Sequence, residues 1–164
     1  MAKKIQNVMR LYIDMDNVLV DFKSAFDWVT PEQLTAADND YADVPGIFAQ
    51  MQPMAGAIEA VVELAKVYDL YLLSTAPWKN PSAWSDKVKW VQKYWGADKS
   101  SPVYKKLILT HHKDLNQGAF LVDDRKANGA DGFDGVHLHF GQKAFPNWQV
   151  TKEFLLQMAD RNEE

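Results

Sequence analysis

The chain contains no cysteine among its 164 residues. That absence removes disulfides, thiolate-held zinc, iron–sulfur clusters and thiol nucleophiles together. There is no apolar run near the ~20 residues that a membrane-spanning helix needs. The basic opening with Lys3 and Lys4 runs into an apolar stretch by Val8, leaving no secretory core and no room for a transit peptide. A cytoplasmic location without a membrane partner is therefore expected. Basic excess is missing too: 18 Lys and Arg face 22 Asp and Glu, a net charge of −4, which argues against a nucleic-acid duplex as partner. Repeats and low-complexity segments are absent. What is present is a chain 47% hydrophobic and 12% aromatic, long enough for one domain that buries roughly 70% of its unfolded surface. Hydrolytic chemistry in such a chain must rest on carboxylates, hydroxyls, histidines or a metal held by oxygen.

Short apolar runs alternate with helical patterns. Val8–Ile13, Leu70–Leu73, Leu107–Leu109, Phe120–Val122 and Gly135–Phe140 read as strands, and the scarcity of polar alternation suits strands covered on both faces. Ile58, Val61, Val62 and Ala65 recur at helical spacing within Ala55–Tyr68. Trp84, Val88, Val91 and Trp95 do so within Ser82–Trp95, with Gly96 as a stop. Val150–Met158 reads as a last helix, trailing into a frayed Asp160–Glu164. Alternation of this kind predicts an α/β fold: a parallel sheet of about five strands with helices on both faces and ligands at the carboxyl ends of the strands. Asp21–Pro53 breaks the rhythm. It is too long for an ordinary crossover, so residues 22–53 are expected to form a small helical cap inserted after the first strand of a single domain, 1–164. An irregular crossover helix with a loose loop is the plainer alternative.

Polar residues gather where strands end. The first strand delivers Asp14 and Asp16, the second Ser74 and Thr75, and the fourth Asp123 and Asp124. Carboxylates brought this close repel and push one another's pKa up. A divalent cation is the usual remedy, and oxygen-only ligands in small number point to magnesium beside a substrate phosphate. On an extended backbone Asp14 and Asp16, two residues apart, point the same way, so a nucleophile and a proton-transfer group could reach one phosphoryl centre. A lone Asp-x-Asp that merely caps a turn is the bland alternative. An EF-hand calcium loop is excluded, since Leu19 stands at the glycine position and Ala25 where the bidentate Glu belongs.

The stretch from Asp14 to Asp21 resembles the first motif of haloacid dehalogenase (HAD) superfamily phosphatases, and most closely that of the 5′(3′)-deoxyribonucleotidases, which carry Gly where Asn17 stands. Leu72–Pro77, Ile108–Lys113 and Leu121–Arg125 resemble the second, third and fourth motifs, with similar spacing from Lys113 to Asp123. Similarity extends to Met51–Ala57 and Lys89–Gly96. The resemblance implies a HAD-like Rossmannoid fold and a two-step phosphoryl transfer. Asp14 is the implied nucleophile and Asp16 the acid and then base, as general acid–base catalysis requires. Magnesium is implied at the Asp14 carboxylate, the Asp16 carbonyl and the Asp124 carboxylate, with Asp123 orienting Lys113 or a metal-bound water and ranked lower as a ligand. Lys113 and Ser74 are implied to balance the phosphoryl oxygens, with Thr75 or nearby backbone N–H groups helping. Phe22 matches an aromatic that stacks on the base and Arg125 an Arg near the substrate. Phe48 and Trp78 are further candidates in the cap and at the entrance. The second acid, Asp16, favours a phosphate ester over dehalogenase chemistry.

Several residues have plainer readings. His111 and His112, or His137 and His139, invite a zinc site but offer two ligands without a third. The tryptophans, Trp84 and Trp95 among them, are expected in the core. Lys87, Lys89, Lys105 and Lys106 are expected on solvated faces. The sequence thus predicts a magnesium-dependent phosphomonoesterase acting on a small phosphorylated substrate, a nucleoside monophosphate with deoxyribo forms preferred. A phosphatase of a sugar phosphate or of a nucleic-acid 3′-phosphate is the alternative of the same class, and an inactive nucleotide-binding module that of another.

Overall fold

A computed structural model describes residues 8–163; the basic opening at Lys3 and Lys4 and the terminal Glu164 lie outside the described residues. Among the described residues, seven strands and four α-helices succeed one another. The strands are β1 (Arg10–Ile13), β2 (Val20–Asp21), β3 (Gln52–Pro53), β4 (Asp69–Ser74), β5 (Leu107–Leu109), β6 (Phe120–Asp123) and β7 (Val136–His139). The helices are α1 (Pro31–Ala36), α2 (Ala57–Leu64), α3 (Pro81–Trp95) and α4 (Trp148–Glu163). Five strands form one parallel sheet in the order β5-β4-β1-β6-β7. β1 is therefore central, hydrogen-bonded on both edges and covered on both faces, which is why Leu11, Tyr12 and Ile13 are all buried. Burying each such side chain stabilises the fold by about 1.5–3 kcal/mol.

The strand order reverses at β1, with β4 on one side and β6 on the other. The turns leaving these three strands open into one crevice, where ligands sit in open α/β sheets. The segment expected as a cap leaves through β2 and returns through β3, which pair antiparallel. Between them lie 3₁₀ turns at Phe22–Trp28, Tyr41–Asp43 and Ile47–Ala49, and α1, opened by Pro31 and a reciprocal Thr30–Gln33 capping box. The cap is fastened to α3 by its backbone groups. Asn80 Nδ2 donates to the carbonyls of Ala42 and Val44 at 2.9 and 3.1 Å, Trp90 Nε1 donates to that of Met51 at 2.9 Å, and Gly46 N donates to Ser82 Oγ at 3.0 Å. Val44, Ile47, Phe48 and Met51 belong to the same apolar cluster as Leu11 and Leu72. The inserted segment therefore shares the sheet's apolar core.

Three expectations change. The helix expected to fray after Met158 continues to Glu163. In α2 the buried face is Ala57, Ala60, Val61 and Leu64, while Val62 points outward. In α3 the buried face is Ala83, Asp86, Lys87, Trp90 and Val91, with Trp95 at the end, so Trp84 and Val88 are exposed. Val91 and Trp95 are buried as expected, so it is the first half of α3 that turns Ala83, Asp86 and Lys87 inward instead of Trp84 and Val88. Trp28 and Trp78 are exposed as well, which leaves Trp90, Trp95 and Trp148 as the core tryptophans.

Candidate active site

The turns at the carboxyl ends of β1, β4 and β6 supply the site. Asp14 continues the ladder by one bond, its N–H donating to the Val122 carbonyl at 2.9 Å. The chain then turns sharply, and the amides of Val18, Leu19 and Val20 all donate to the Met15 carbonyl. Asn17 makes this turn possible with φ of 59°, a left-handed conformation that Asn tolerates. α4 braces it from behind, Trp148 Nε1 donating to the Val18 carbonyl at 2.7 Å. The turn leaves Asp14 and Asp16 in the crevice, each with its own lysine. Lys113 Nζ lies 3.0 Å from Asp14 Oδ1 and Lys87 Nζ 2.8 Å from Asp16 Oδ1.

Lys113 is held from three sides. Its ammonium also donates to Asp123 Oδ2, whose other oxygen, Oδ1, accepts the Arg125 N–H at 2.9 Å. Its backbone N–H donates to the Asn128 carbonyl at 2.8 Å. The next residue, Gly129, has φ of +83°, and a Cβ there would stand 2.9 Å from the Lys113 amide nitrogen, so only glycine permits the approach. Both Asp123 oxygens are thus engaged.

Lys87 is a lysine at the site that the sequence did not point to. Expected on a solvated face, it is 1% exposed, and besides Asp16 it donates to Ser74 Oγ at 3.1 Å and lies 4.5 Å from the centre of the Phe48 ring. A signal for it existed: Ala83, Asp86, Lys87 and Trp90 repeat at i, i+3, i+4, i+7, so Lys87 shares a face with a buried tryptophan. Ser74 is fully buried and, accepting from Lys87, keeps its own hydroxyl proton to donate. Thr75 differs, because its hydroxyl donates to the Thr110 carbonyl at 2.7 Å; what remains for a phosphoryl oxygen is its backbone N–H.

Charge is the dominant property of the site. Asp14, Asp123 and Asp124 bring one oxygen each to within 4.8 Å of one another. Burial pushes the Asp16 carboxyl up from the ordinary carboxylate range, opposed by Lys87 and reinforced by Asp14. Burial and the Asp14 charge push Asp123 up against the pull of Lys113. Burial pulls the Lys113 ammonium down, but the neighbouring Asp14 and Asp123 carboxylates more than offset this and raise it. Asp124 is pushed up to about 7 by burial, then by Asp14 and Asp123. Its Oδ1 is buried with no hydrogen-bond partner. A buried orphan oxygen beside two more carboxylates, with no thiolate and no histidine, fits a hard divalent cation with oxygen ligands.

This has a measurable consequence. In the folded chain Asp124 keeps its proton to about pH 7, whereas unfolded it loses it near pH 3.8. Its contribution to stability is complete below the lower value and is lost as pH rises to the upper one. Without metal, the melting temperature is expected to fall between about pH 4 and 7, and Mg²⁺ is expected to restore it most at the upper end. Melting curves in EDTA and in MgCl₂ across this range check both trends.

Asp16 and Thr75 open the site onto a cavity of about 460 Å³. Asp16, Thr75 and Arg125 line it below, Phe22 and Phe48 on the cap side, and Trp78 with His111 at the mouth. Trp78 is 81% exposed and meets the His111 ring edge-on at 5.8 Å. Asn17, Asp40 and Asn128 also face the cavity; sequence reading did not single them out as ligand contacts. A second cavity of about 480 Å³, between α3 and β5, is lined by apolar residues with Tyr104, Lys105 and Lys106 and carries no carboxylate. Among the described residues no histidine joins a cluster of three metal-ligating side chains, and no helix is long and apolar enough to cross a membrane.

Comparison with known proteins gives the chain's kinship and fold. Residues 23–153 match the family model described as 5′ nucleotidase, deoxy (pyrimidine), cytosolic type C. A candidate 5′(3′)-deoxyribonucleotidase of Vibrio phage KVP40 is 52% identical over 94% of this chain and 88% of its own. The human cytosolic 5′(3′)-deoxyribonucleotidase is 25% identical over 86% and 77%. Among solved structures, a HAD-superfamily hydrolase from Geobacter sulfurreducens superposes with a TM-score of 0.56 at 10% identity, covering 94% of this chain and all of its own. Another from Ehrlichia chaffeensis does so with 0.53 at 12% identity, covering 91% and 96%. At such identities the structures attest the fold alone, while the family match and the phage relative decide kinship. The chain belongs to the 5′(3′)-deoxyribonucleotidase family, the deoxy type C 5′-nucleotidases, on a HAD-like fold.

Proposed function

We propose that this phosphoric monoester hydrolase is a magnesium-dependent 5′(3′)-deoxyribonucleotidase that works through an aspartyl-phosphate. The observation that carries the reading is the pair Asp14–Lys113 and Asp16–Lys87, a buried and a half-buried carboxylate with separate cations, Ser74 bonded to Lys87, and Asp16 lining an aromatic-walled cavity. Asp14 attacks phosphorus and the bond to the ester oxygen breaks, with Asp16 delivering a proton to that oxygen. Asp16 then takes a proton from the water that attacks the phosphoryl group. The Asp14–phosphorus bond breaks, and inorganic phosphate leaves with Asp14 restored. A carboxyl raised by burial suits the first role, and Lys87, which favours its ionised form, suits the second. Ser74, Lys113 and the Thr75 backbone N–H face the phosphoryl oxygens, where electrostatic stabilisation is the largest part of such catalysis.

Asp14, the Asp16 carbonyl and Asp124 would hold magnesium, which supplies charge neutralisation for phosphoryl transfer. Asp123, with both oxygens engaged, suits the positioning of Lys113. Phe22, Phe48, Trp78 and Arg125 would receive the nucleoside. Phe48 is buried and presents one surface to Lys87, whereas Trp78 has free ring area for stacking. Free nucleoside monophosphates as substrates accord with a cytoplasmic place of action.

A screen of nucleoside 5′- and 3′-monophosphates, with p-nitrophenyl phosphate alongside and with or without Mg²⁺, tests the reading. Magnesium-dependent turnover with deoxyribo forms preferred is expected. Hydrolysis of the aryl phosphate and of no mononucleotide would point to a sugar phosphate or a nucleic-acid 3′-phosphate. Nucleotide binding without any turnover would mean an inactive binding module.

A further inference from the structure

His137 and His139 belong to none of the roles above, yet they touch the loop that carries the acids. In the parallel register of β6 and β7, His139 stands opposite Asp123 and His137 opposite Leu121. Two residues apart, the imidazoles lie on one face of the sheet, their rings stacked 5.4 Å apart at 20°. Each reaches across to a carbonyl of the neighbouring segment. His137 Nε2 is 3.1 Å from the Asp123 oxygen and His139 Nε2 2.7 Å from the Asp124 oxygen. A carbonyl oxygen can only accept, so both Nε2 atoms carry hydrogen.

The two contacts are not equivalent. The Asp123 carbonyl also accepts the Phe140 N–H at 3.0 Å, as part of the ladder. The ladder stops there. Among the described residues, no backbone N–H donates to the Asp124 carbonyl, so the His139 side chain supplies the bond that a sheet would have supplied one residue earlier. His137, stacked behind it, restricts how the His139 ring can turn. We propose that His139, backed by His137, is the positioning residue that fixes the Asp124 peptide and thereby aims the Asp124 carboxylate at Asp14. Partners that orient a metal ligand typically change metal affinity by about 10–100-fold when removed. The proposal rests on the reading that Asp14 and Asp124 hold magnesium.

The test uses the full chain stripped of metal, titrated with MgCl₂ alone and followed by its melting temperature. His139→Phe keeps a ring against His137 but has no N–H, and is expected to need about 10–100 times more Mg²⁺ for half of the stabilising shift. His139→Asn, too short to reach the carbonyl, carries the same expectation and serves if phenylalanine does not fold. His139→Gln, which can present an amide N–H to Asp124, is expected to lie closer to wild type than either. In turnover of p-nitrophenyl phosphate, the loss variants are expected to raise the Mg²⁺ concentration for half-activation while keeping kcat at saturation. Wild-type Mg²⁺ dependence in the loss variants overturns the proposal. So does an equal weakening in all three variants with a lowered metal-free melting temperature, which marks a packing role. A wild-type chain that Mg²⁺ neither stabilises nor activates overturns the metal reading itself, and this proposal with it.

Discussion

Asp14→Asn is expected to remove turnover, by roughly 10⁴–10⁶-fold as for loss of a nucleophile in other covalent mechanisms, while leaving the fold intact. The reason is chemical rather than steric. Asparagine matches the side chain in size, yet its amide cannot form the acyl phosphate through which the reaction is proposed to pass. The structure also says why folding survives. The Asp14 charge helps to push up the carboxyls of Asp16, Asp123 and Asp124. Neutralising it relieves that repulsion, and Lys113 keeps Asp123 as partner. A single-turnover assay with p-nitrophenyl phosphate, paired with a melting curve, measures both. A variant that kept most of its activity would refute the covalent route.

Lys87→Met should be the next largest loss, about 10²-fold or more in kcat at neutral pH, the size typical of impaired general acid–base catalysis. Lys87 is the cation bonded to Asp16, and burial already pushes the Asp16 carboxyl up. Removing the ammonium leaves that push opposed only by the more distant Arg125, so a larger fraction of Asp16 stays protonated. Protonation serves the leaving group but disables the base needed for hydrolysis of the aspartyl-phosphate. The pH–rate profile is therefore expected to move to higher pH, and p-nitrophenolate is expected to appear in a pre-steady-state burst as phosphoenzyme accumulates. Lys87→Arg is expected to recover little, because the larger planar head has to fit a slot closed by Ser74 and the Phe48 ring. An unchanged profile with unchanged kcat in the methionine variant would reduce Lys87 to a packing role.

These two residues also show where sequence is informative and where it falls silent. Asp14 is legible because it sits where an apolar run ends, and strand ends are fixed by local pattern. The same logic picks out Ser74, Asp123 and Asp124, which lie at the ends of β4 and β6 as expected. The left-handed turn at Asn17 accords with the Gly that the resembling family carries there, since few residues besides Gly and Asn adopt it readily. Lys87 was legible only as a member of the helical stripe it shares with Trp90, not as a partner of Asp16. Its helix was expected to face inward through Trp84 and Val88, but it is Ala83, Lys87 and Trp90 that are buried. Periodicity locates a helix and its stripe, yet a buried charge is allowed on that stripe only if a counter-charge waits for it. That counter-charge, Asp16, lies 71 residues away in sequence.

The histidines make the same point from the other side. As a sequence pattern His137 and His139 suggested at most an incomplete zinc site. Parallel pairing with β6 gives them a different task, because it sets their Nε2 atoms against the carbonyls of Asp123 and Asp124. The sequence by itself determined the parallel α/β sheet and the strand ends that bear acids and hydroxyls, since these arise from short-range patterning of apolar residues. The tertiary structure alone decided which cation serves which carboxylate, which oxygen is left buried without a partner, and which rings line the cavity. Those are properties of groups distant in sequence meeting where water is excluded, and there the cost of an unpaired charge selects the partner.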